Sequence, residues 1–265
     1  MIGFDFPAVS PVAFSIGALM IRWYSLAYLF GIIAAWLLVL HMIKKYNLSL
    51  SKQQVEDAVF YTTLGIILGG RLGYVLFYGG NYFWHHPLQI LAIWHGGMSF
   101  HGGAVGAVLG LLYTSYSRKV SFWLLADLAA LFAPIGLFLG RIANFINDEL
   151  WGRVTDLPWA VRFPSGGGLP RHPSQLYEAF LEGVVIFAVL NILWRIPKIR
   201  EKRGTVSALF VLMYAVFRFL VEYVREPDEQ LGFLWLGLTM GQWLSVPVFL
   251  LGVCLVFVFY FKPEK

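Results

Sequence analysis

Seven stretches of this chain are apolar for about 20 residues each, the length a helix needs to cross a ~30 Å hydrocarbon core. They lie near residues 17–40, 56–79, 98–116, 122–146, 174–196, 204–224 and 238–261. The third and fourth are interrupted by glycine and polar residues. Of 265 residues, 58% are hydrophobic and only 13% charged, against about 25% charged in soluble domains. The expectation is an all-α integral membrane protein with about seven transmembrane helices, folded as one polytopic domain over residues 1–265. The longest polar connection, 147–173, is expected to form a small head inserted between the fourth and fifth spans. The opening MIGFDFPAVSPVAFSIG has neither a basic n-region nor a small-residue cleavage site, so no cleavable signal peptide is expected.

Loop charge predicts the orientation. Twelve of the 20 Lys and Arg residues fall on one alternating set of segments: Lys44, Lys45 and Lys52; Arg118 and Lys119; Arg195, Lys198, Arg200, Lys202 and Arg203; Lys262 and Lys265. The opposite set holds Arg153, Arg162, Arg171 and Arg225. The first side is read as cytoplasmic, with the N-terminus outside and the C-terminus inside. The basic 195–205 loop suits anionic lipid headgroups. Gly65, Gly69 and Gly73 recur every four residues, as do Gly102, Gly106 and Gly110, a spacing that lets helices approach closely. These glycines are expected to pack, not to do chemistry.

The remaining four basic residues, Arg22, Arg71, Arg141 and Arg218, lie inside the apolar stretches. A charge there costs several kcal/mol or more, and defaults to a functional reading. Counted from the outer end of each span at ~1.5 Å per residue, Arg22, Arg141 and Arg218 come out roughly 8 to 9 Å deep and Arg71 roughly 12 Å. His101 comes out roughly 5 Å deep. Snorkelling arginines would gather near both faces. A shared outer-leaflet level points instead to a polar cavity, and guanidinium is the group that binds phosphate bidentately. The competing reading for each is a structural ion pair. For Arg218 the partner would be Glu222 one turn on, with Tyr214 and Arg225 on the same helical face. Glu178 and Glu182 are further counter-charges, with pairing their expected role.

His101 in GGMSFHGG is either a satisfied structural histidine or a general base, since its ordinary pKa of about 6.5 suits proton transfer near neutrality. His85, His86 and His95 lack metal-site spacing and a carboxylate partner, so no metal is expected. No serine-hydrolase elbow is present. The single Cys254 cannot form a disulfide within one chain and is expected to pack in its apolar segment.

Six segments together carry a family resemblance: RWYSLAYL (22–29), LGGRLGYVLFY (68–78), GGMSFHGG (96–103), GRIANFINDELWGR (140–153), LPRHPSQLYE (169–178) and YAVFRFLVEYVREPD (214–228). In this order, and running on to MGQ at 240–242, they resemble prolipoprotein diacylglyceryl transferase over almost the whole chain. The resemblance implies transfer of a diacylglyceryl group from phosphatidylglycerol to the lipobox cysteine thiol of a prolipoprotein, with release of glycerol 1-phosphate. It implies an enzyme of the bacterial inner membrane, working at the outer leaflet in lipoprotein maturation. Its partners would be phosphatidylglycerol, the lipobox signal peptide and membrane lipids, with no cofactor and no nucleic acid, and a monomer is expected.

Carried over by motif, Arg141 and Asn144 match the family's phosphatidylglycerol-binding motif and Arg218 its second essential arginine. His101 matches the histidine proposed as base. Tyr24, Glu149, Gly152 and Tyr214 match other important positions, and Arg71 with Tyr74 lies in a motif of less defined role, taken here as substrate-binding support. Glu222 and Arg225 are expected as supporting ion pairs. Three positions depart from the pattern: Ser25 and Ala143 stand where glycine is expected, and Asp148 where Gly or Ser is common. The rival class is a phospholipid or anion transporter with an outward-facing, arginine-lined cavity. It would predict polar residues continuing to the cytoplasmic side, where little is found beyond Asp127, Thr62 and Thr63.

Overall fold

Each apolar stretch becomes a helix, although two differ in where they begin or how regularly they run. The computed structural model describes residues 3–7, 9–17, 19–227 and 232–261. Lys262 and Lys265 of the loop-charge tally, and Asp228 of the last motif, lie outside the described residues. The helices are α1 (Trp23–Tyr46), α2 (Lys52–Tyr78), α3 (Phe100–Arg118), α4 (Phe122–Ile146), α5 (Ser174–Trp194), α6 (Thr205–Val221) and α7 (Met240–Phe261). The protein is mostly helical, and α1, α2, α4, α5 and α7 are long and apolar enough to cross a membrane. Helix α6 is apolar but shorter, and glycine-rich α3 falls outside that set.

The chain divides into two compact units, residues 36–128 and residues 1–35 with 129–265. In the first, α2 and α3 pack through their glycines. A Cβ added at Gly65 or Gly106 would overlap a backbone carbonyl of the other helix, and Gly69 meets Gly102 in the same way. The four-residue spacing puts these glycines on one face of each helix, so the backbones touch where side chains would otherwise hold them apart. Ser51 and Gln54 close a capping box at the start of α2, satisfying amides that would otherwise be orphaned. Ser99 caps α3 by accepting from the Gly102 amide at 3.2 Å.

In the second unit, α6 packs on α7 and α5 on α6. Thr239 and Gln242 form the capping box of α7. Helix α5 is irregular: its Ala179–Val185 segment is π-helical. Such wide turns rotate the side chains that follow and cluster at functional sites. Gly183 sits there against Phe138 of α4, where a Cβ would stand 2.6 Å from the Phe138 Cβ.

Among the described residues, five short strands accompany the helices. A hairpin joins β1 (Val12–Ile16) to β2 (Leu19–Arg22). A strand at the N-terminus, β3 (Phe4–Asp5), runs parallel to β4 (Val161–Arg162), which pairs antiparallel with β5 (Pro170–Arg171). Arg162 ties the N-terminal strand down through an ion pair to Asp5 at 2.9 Å.

Two expectations are corrected here. The first apolar stretch does not begin a helix at residue 17: its start is the second strand of the hairpin, and α1 begins at Trp23. Arg22 therefore ends a strand, exposed and opposite Val12, and the per-residue helical rise behind its depth does not apply. Cys254 is exposed on α7, not packed, on a helix whose outward side is apolar throughout.

Candidate functional site

Arg141 reaches the middle of the second unit from the last turns of α4, Arg218 from the end of α6, and between them stands Glu178 of α5. Glu178 is fully buried, as is Glu182 one turn on. Arg141 Nε lies 2.7 Å from Glu178 Oε2, and Arg218 Nη1 donates to Glu178 Oε1 at 2.5 Å. Arg225 Nη1 donates to the same Oε1 at 3.2 Å. Arg141 Nη2 also lies 3.5 Å from Glu182 Oε2. One carboxylate is thus shared by three guanidinium groups from two other segments of the chain.

Around this core the charges alternate. Glu222 pairs with Arg218 Nη2 at 2.5 Å and with Arg225 Nε at 3.4 Å. Its other oxygen accepts from the Thr239 hydroxyl at 2.5 Å. Gly241 leaves room for that carboxylate, because a Cβ there would stand 2.6 Å from Glu222 Cδ. Three arginines and three glutamates balance in formal charge, which is what permits such a cluster in an apolar bundle: an unpaired buried charge costs several kcal/mol. Arg141 and Arg218 still keep 16% and 17% side-chain exposure, so the cluster opens at these two groups.

A polar arm leads away from Arg141. Its Nη1 donates to Asn144 Oδ1 at 3.5 Å, and buried Asn144 donates from Nδ2 to Glu149 Oε1 at 2.8 Å. Asn147 and Gln175 also hold Glu149, the first at its carboxylate and the second at its backbone carbonyl. Tyr214 of α6 has Arg141, Arg218, Glu178 and Glu182 as charged neighbours, and Tyr24 of α1 has Glu149 and Arg141. Tyr24 also shares a hydroxyl contact with Tyr28 at 3.4 Å.

The 147–173 segment holds this arm in place. Gly152 donates its amide to His172 O at 2.8 Å and bridges to Arg225, and a Cβ would stand 2.6 Å from the Val224 carbonyl. Only glycine fits that approach. Asp148 has φ 56°, a conformation asparagine and aspartate tolerate better than most residues. Its carboxylate accepts from the Ser165 amide at 2.7 Å. The departure from Gly or Ser at this position is thus used to staple the loop. Burial, with Arg153 nearby, holds the His172 imidazole below its ordinary pKa, and its Nδ1 lies 3.3 Å from the Tyr177 hydroxyl.

The sequence alone gives Arg153 no role beyond its loop charge. The structure shows it donating to the carbonyls of Arg225 at 3.0 Å and Glu222 at 3.1 Å, with its guanidinium over the Phe233 ring. It fixes the backbone that carries two members of the charge cluster. The sequence marks Glu178 as a counter-charge, but no spacing rule reveals that one carboxylate takes three arginines.

His101 and Arg71 belong to the unit 36–128. His101 is the second residue of α3, exposed, its ring edge-on to Phe100 at 5.7 Å. Arg71 is buried, and its guanidinium makes four bonds to backbone: Nε donates to Ile90 O at 2.8 Å, Nη2 to Gln89 O at 2.6 Å, and Nη1 to Gly96 O at 2.6 Å and Gly97 O at 3.1 Å. Tyr74 and Phe83 face it at 5.8 and 5.3 Å. This arginine ties down the connection that precedes α3, where the Ser99 amide also donates to Gly70 O at 2.8 Å. Among the described residues no group of three or more His, Cys, Asp or Glu side chains is placed to hold a metal ion.

Comparison with known proteins agrees along the whole chain. A family model described as prolipoprotein diacylglyceryl transferase matches residues 11–258. A phosphatidylglycerol–prolipoprotein diacylglyceryl transferase of Geobacter sulfurreducens is 52% identical over 250 residues, covering 94% of this chain and 95% of the relative. The protein of the same description from Pasteurella multocida is 51% identical over 264 residues, covering 99% and 96%. That from Rhodospirillum centenum is 50% identical over 268 residues, covering 100% and 97%.

Proposed function

This chain belongs to the prolipoprotein diacylglyceryl transferase family, and from that premise we propose that it moves the diacylglyceryl group of phosphatidylglycerol onto a prolipoprotein cysteine, with Arg141 and Arg218 holding the departing phosphate. The thiolate sulfur attacks the glycerol carbon next to the phosphate ester. The carbon–oxygen bond breaks, its electron pair leaves with the oxygen, and glycerol 1-phosphate departs. A thioether remains on the cysteine. Charge grows on the phosphate as the bond breaks, so catalysis calls for preorganised cations in a water-poor site.

The observation that carries this reading is the Arg141–Glu178–Arg218 cluster: two guanidiniums fixed by one buried carboxylate and still partly open. Preformed donors do not have to reorganise when the charge appears. Asn144 and Glu149, next along the polar arm, suit the hydroxyls of the glycerol headgroup. Tyr24 and Tyr214 line the same cluster, and Gly152 keeps its covering segment close. Glu222 and Arg225 act as supporting ion pairs.

The thiol, with an ordinary pKa of about 8.5, has to lose its proton before attack. His101 is assigned that step on its motif and residue type. Arg71, whose donors are occupied by carbonyls, is read as support for its own connection more than as a phosphate ligand. Loop charge supports seven spans with the N-terminus outside, and on that reading the 147–173 head and the reaction belong to the outer leaflet of the inner membrane. A monomer suffices for every role assigned.

The test is headgroup dependence. Purified protein is given a lipobox peptide and vesicles of phosphatidylglycerol or of phosphatidylcholine, and both products are followed by mass. Peptide gaining one diacylglyceryl group, with glycerol 1-phosphate released mole for mole from phosphatidylglycerol alone, is the expected result. Equal transfer from phosphatidylcholine would contradict headgroup recognition by the cluster.

A further inference from the structure

We propose that Glu178 is a positioning residue for the reaction: its one carboxylate bridges Arg141 and Arg218 and sets their spacing and tilt before the lipid arrives. The inference rests on the reading of these two arginines as the phosphate site.

Two guanidiniums brought together without an anion repel, and more strongly as water is withdrawn. Phosphate itself could bring them together, but only by ordering two long side chains at the moment of binding. Glu178 does this in advance. Its Oε2 forms an ion pair with Arg141 Nε at 2.7 Å and its Oε1 accepts from Arg218 at 2.5 Å, so one planar group holds both. Carboxylate and phosphate both present paired oxygens to a guanidinium fork, so the fixed geometry is one a phosphate can meet.

Further observations separate this from ordinary pairing. Glu178 is fully buried, so it answers to the arginines and not to solvent. Arg141 and Arg218 come from different helices, α4 and α6, and Glu178 from a third, so the carboxylate links elements that need not otherwise hold the two guanidiniums in register. Arg218 has a second anchor of its own, Glu222, which is held in turn by Thr239 and Arg225. If neutralising Arg218 were all that was needed, Glu222 would serve, and Glu178 would be redundant for that arginine. The π-helical segment opens immediately after Glu178. Glu182, four residues on from Glu178, reaches Arg141 at 3.5 Å, from where it adds charge without closing the bridge.

The experiment compares transfer by the intact protein with Glu178→Gln and Glu178→Asp in phosphatidylglycerol vesicles, resolving kcat from the half-saturating lipid concentration. Glu178→Gln keeps the shape but presents an amide NH2 to one of the two arginines. The expected result is a fall in kcat of about 100-fold, the scale of a misplaced catalytic geometry, with the half-saturating concentration changed less than about threefold. Glu178→Asp keeps the charge but shortens the reach, and is expected to lose about 10-fold. Thermal midpoint and elution volume in detergent are recorded alongside. Should Glu178→Gln fail to fold, Glu178→Asp decides the matter by the same split. Retained kcat in the folded variant, or a loss confined to lipid affinity, overturns the proposal. Arg141→Lys and Arg218→Lys are measured in parallel. If those two are harmless the phosphate reading falls and this inference with it; if they are damaging while Glu178→Gln is not, only this inference falls.

Discussion

The Arg71 guanidinium and the Gly96 carbonyl, 25 residues apart in sequence, are joined at 2.6 Å, and the same side chain closes three more bonds to the carbonyls of Gln89, Ile90 and Gly97. An arginine inside an apolar run here clamps the backbone of the connection that follows its helix. Desolvation explains the choice of residue: only a planar fork with five donors can satisfy four carbonyls converging from one loop.

Arg71→Lys should therefore fail as a conservative change. A lysine keeps the charge but cannot reach the four carbonyls together, and a hydrogen bond to a charged group contributes about 1.5–3 kcal/mol net. A loss of about 2 kcal/mol or more is expected, read as a lower unfolding midpoint in detergent. A lysine variant as stable as the parent would show that charge alone matters there.

The glycine ladder gives a matched pair. Gly106→Ala should destabilise by about 1–3 kcal/mol, because its Cβ would be driven into the Gly65 carbonyl. Gly136→Ala, where a Cβ meets open space, should be neutral or stabilise by up to about 1 kcal/mol through helix propensity. Thermal midpoints of the two variants check this; equal effects would mean that close approach of α2 and α3 is not what the spacing provides.

Acid should loosen the 147–173 segment through His172. Burial and Arg153 hold its folded pKa below the ordinary value. The unfolded state then binds more protons once pH falls below about 6.5, so stability is complete above that value and declines as pH drops through the window beneath it. Proteolysis of the segment, or the unfolding midpoint, followed from neutral pH downward should show the decline. His172→Gln should flatten it, and an unchanged slope would assign the decline to other groups.

Asp148 offers a local test. With φ 56° and its carboxylate on the Ser165 amide, Asp148→Ala loses the bond and strains the backbone, at an expected cost of about 1–2 kcal/mol. Asp148→Gly, free of the strain, should cost less. The order of the two midpoints is the readout.

How much of this was legible beforehand depended on whether a feature is local. Helix positions follow from runs of apolar residues, and the packing of α2 on α3 from glycines four apart. Arg141, Arg218 and the Glu222 pairing were visible because charge in an apolar run is conspicuous and i, i+4 geometry is predictable. The β1–β2 hairpin is hidden in the sequence: its apolar residues merge without a break into α1, so Arg22 reads as intramembrane although it ends a strand. The pairing of Phe4–Asp5 with Val161–Arg162 joins segments more than 150 residues apart, and no pattern announces it. The same holds for Glu178. Its three partners come from α4, α6 and the turn that follows, and only the folded chain brings them onto one carboxylate. The four bonds of Arg71 are hidden for the opposite reason, since backbone carbonyls are partners that sequence never displays.

The central claim is that Arg141 and Arg218 recognise phosphate by forked, preorganised contacts. Diacylglyceryl transfer by Arg141→Lys and Arg218→Lys, measured with phosphatidylglycerol vesicles and a lipobox peptide, tests it most directly. The account predicts that each folded variant loses about 100-fold or more in transfer despite keeping its positive charge. Full transfer by both would contradict it.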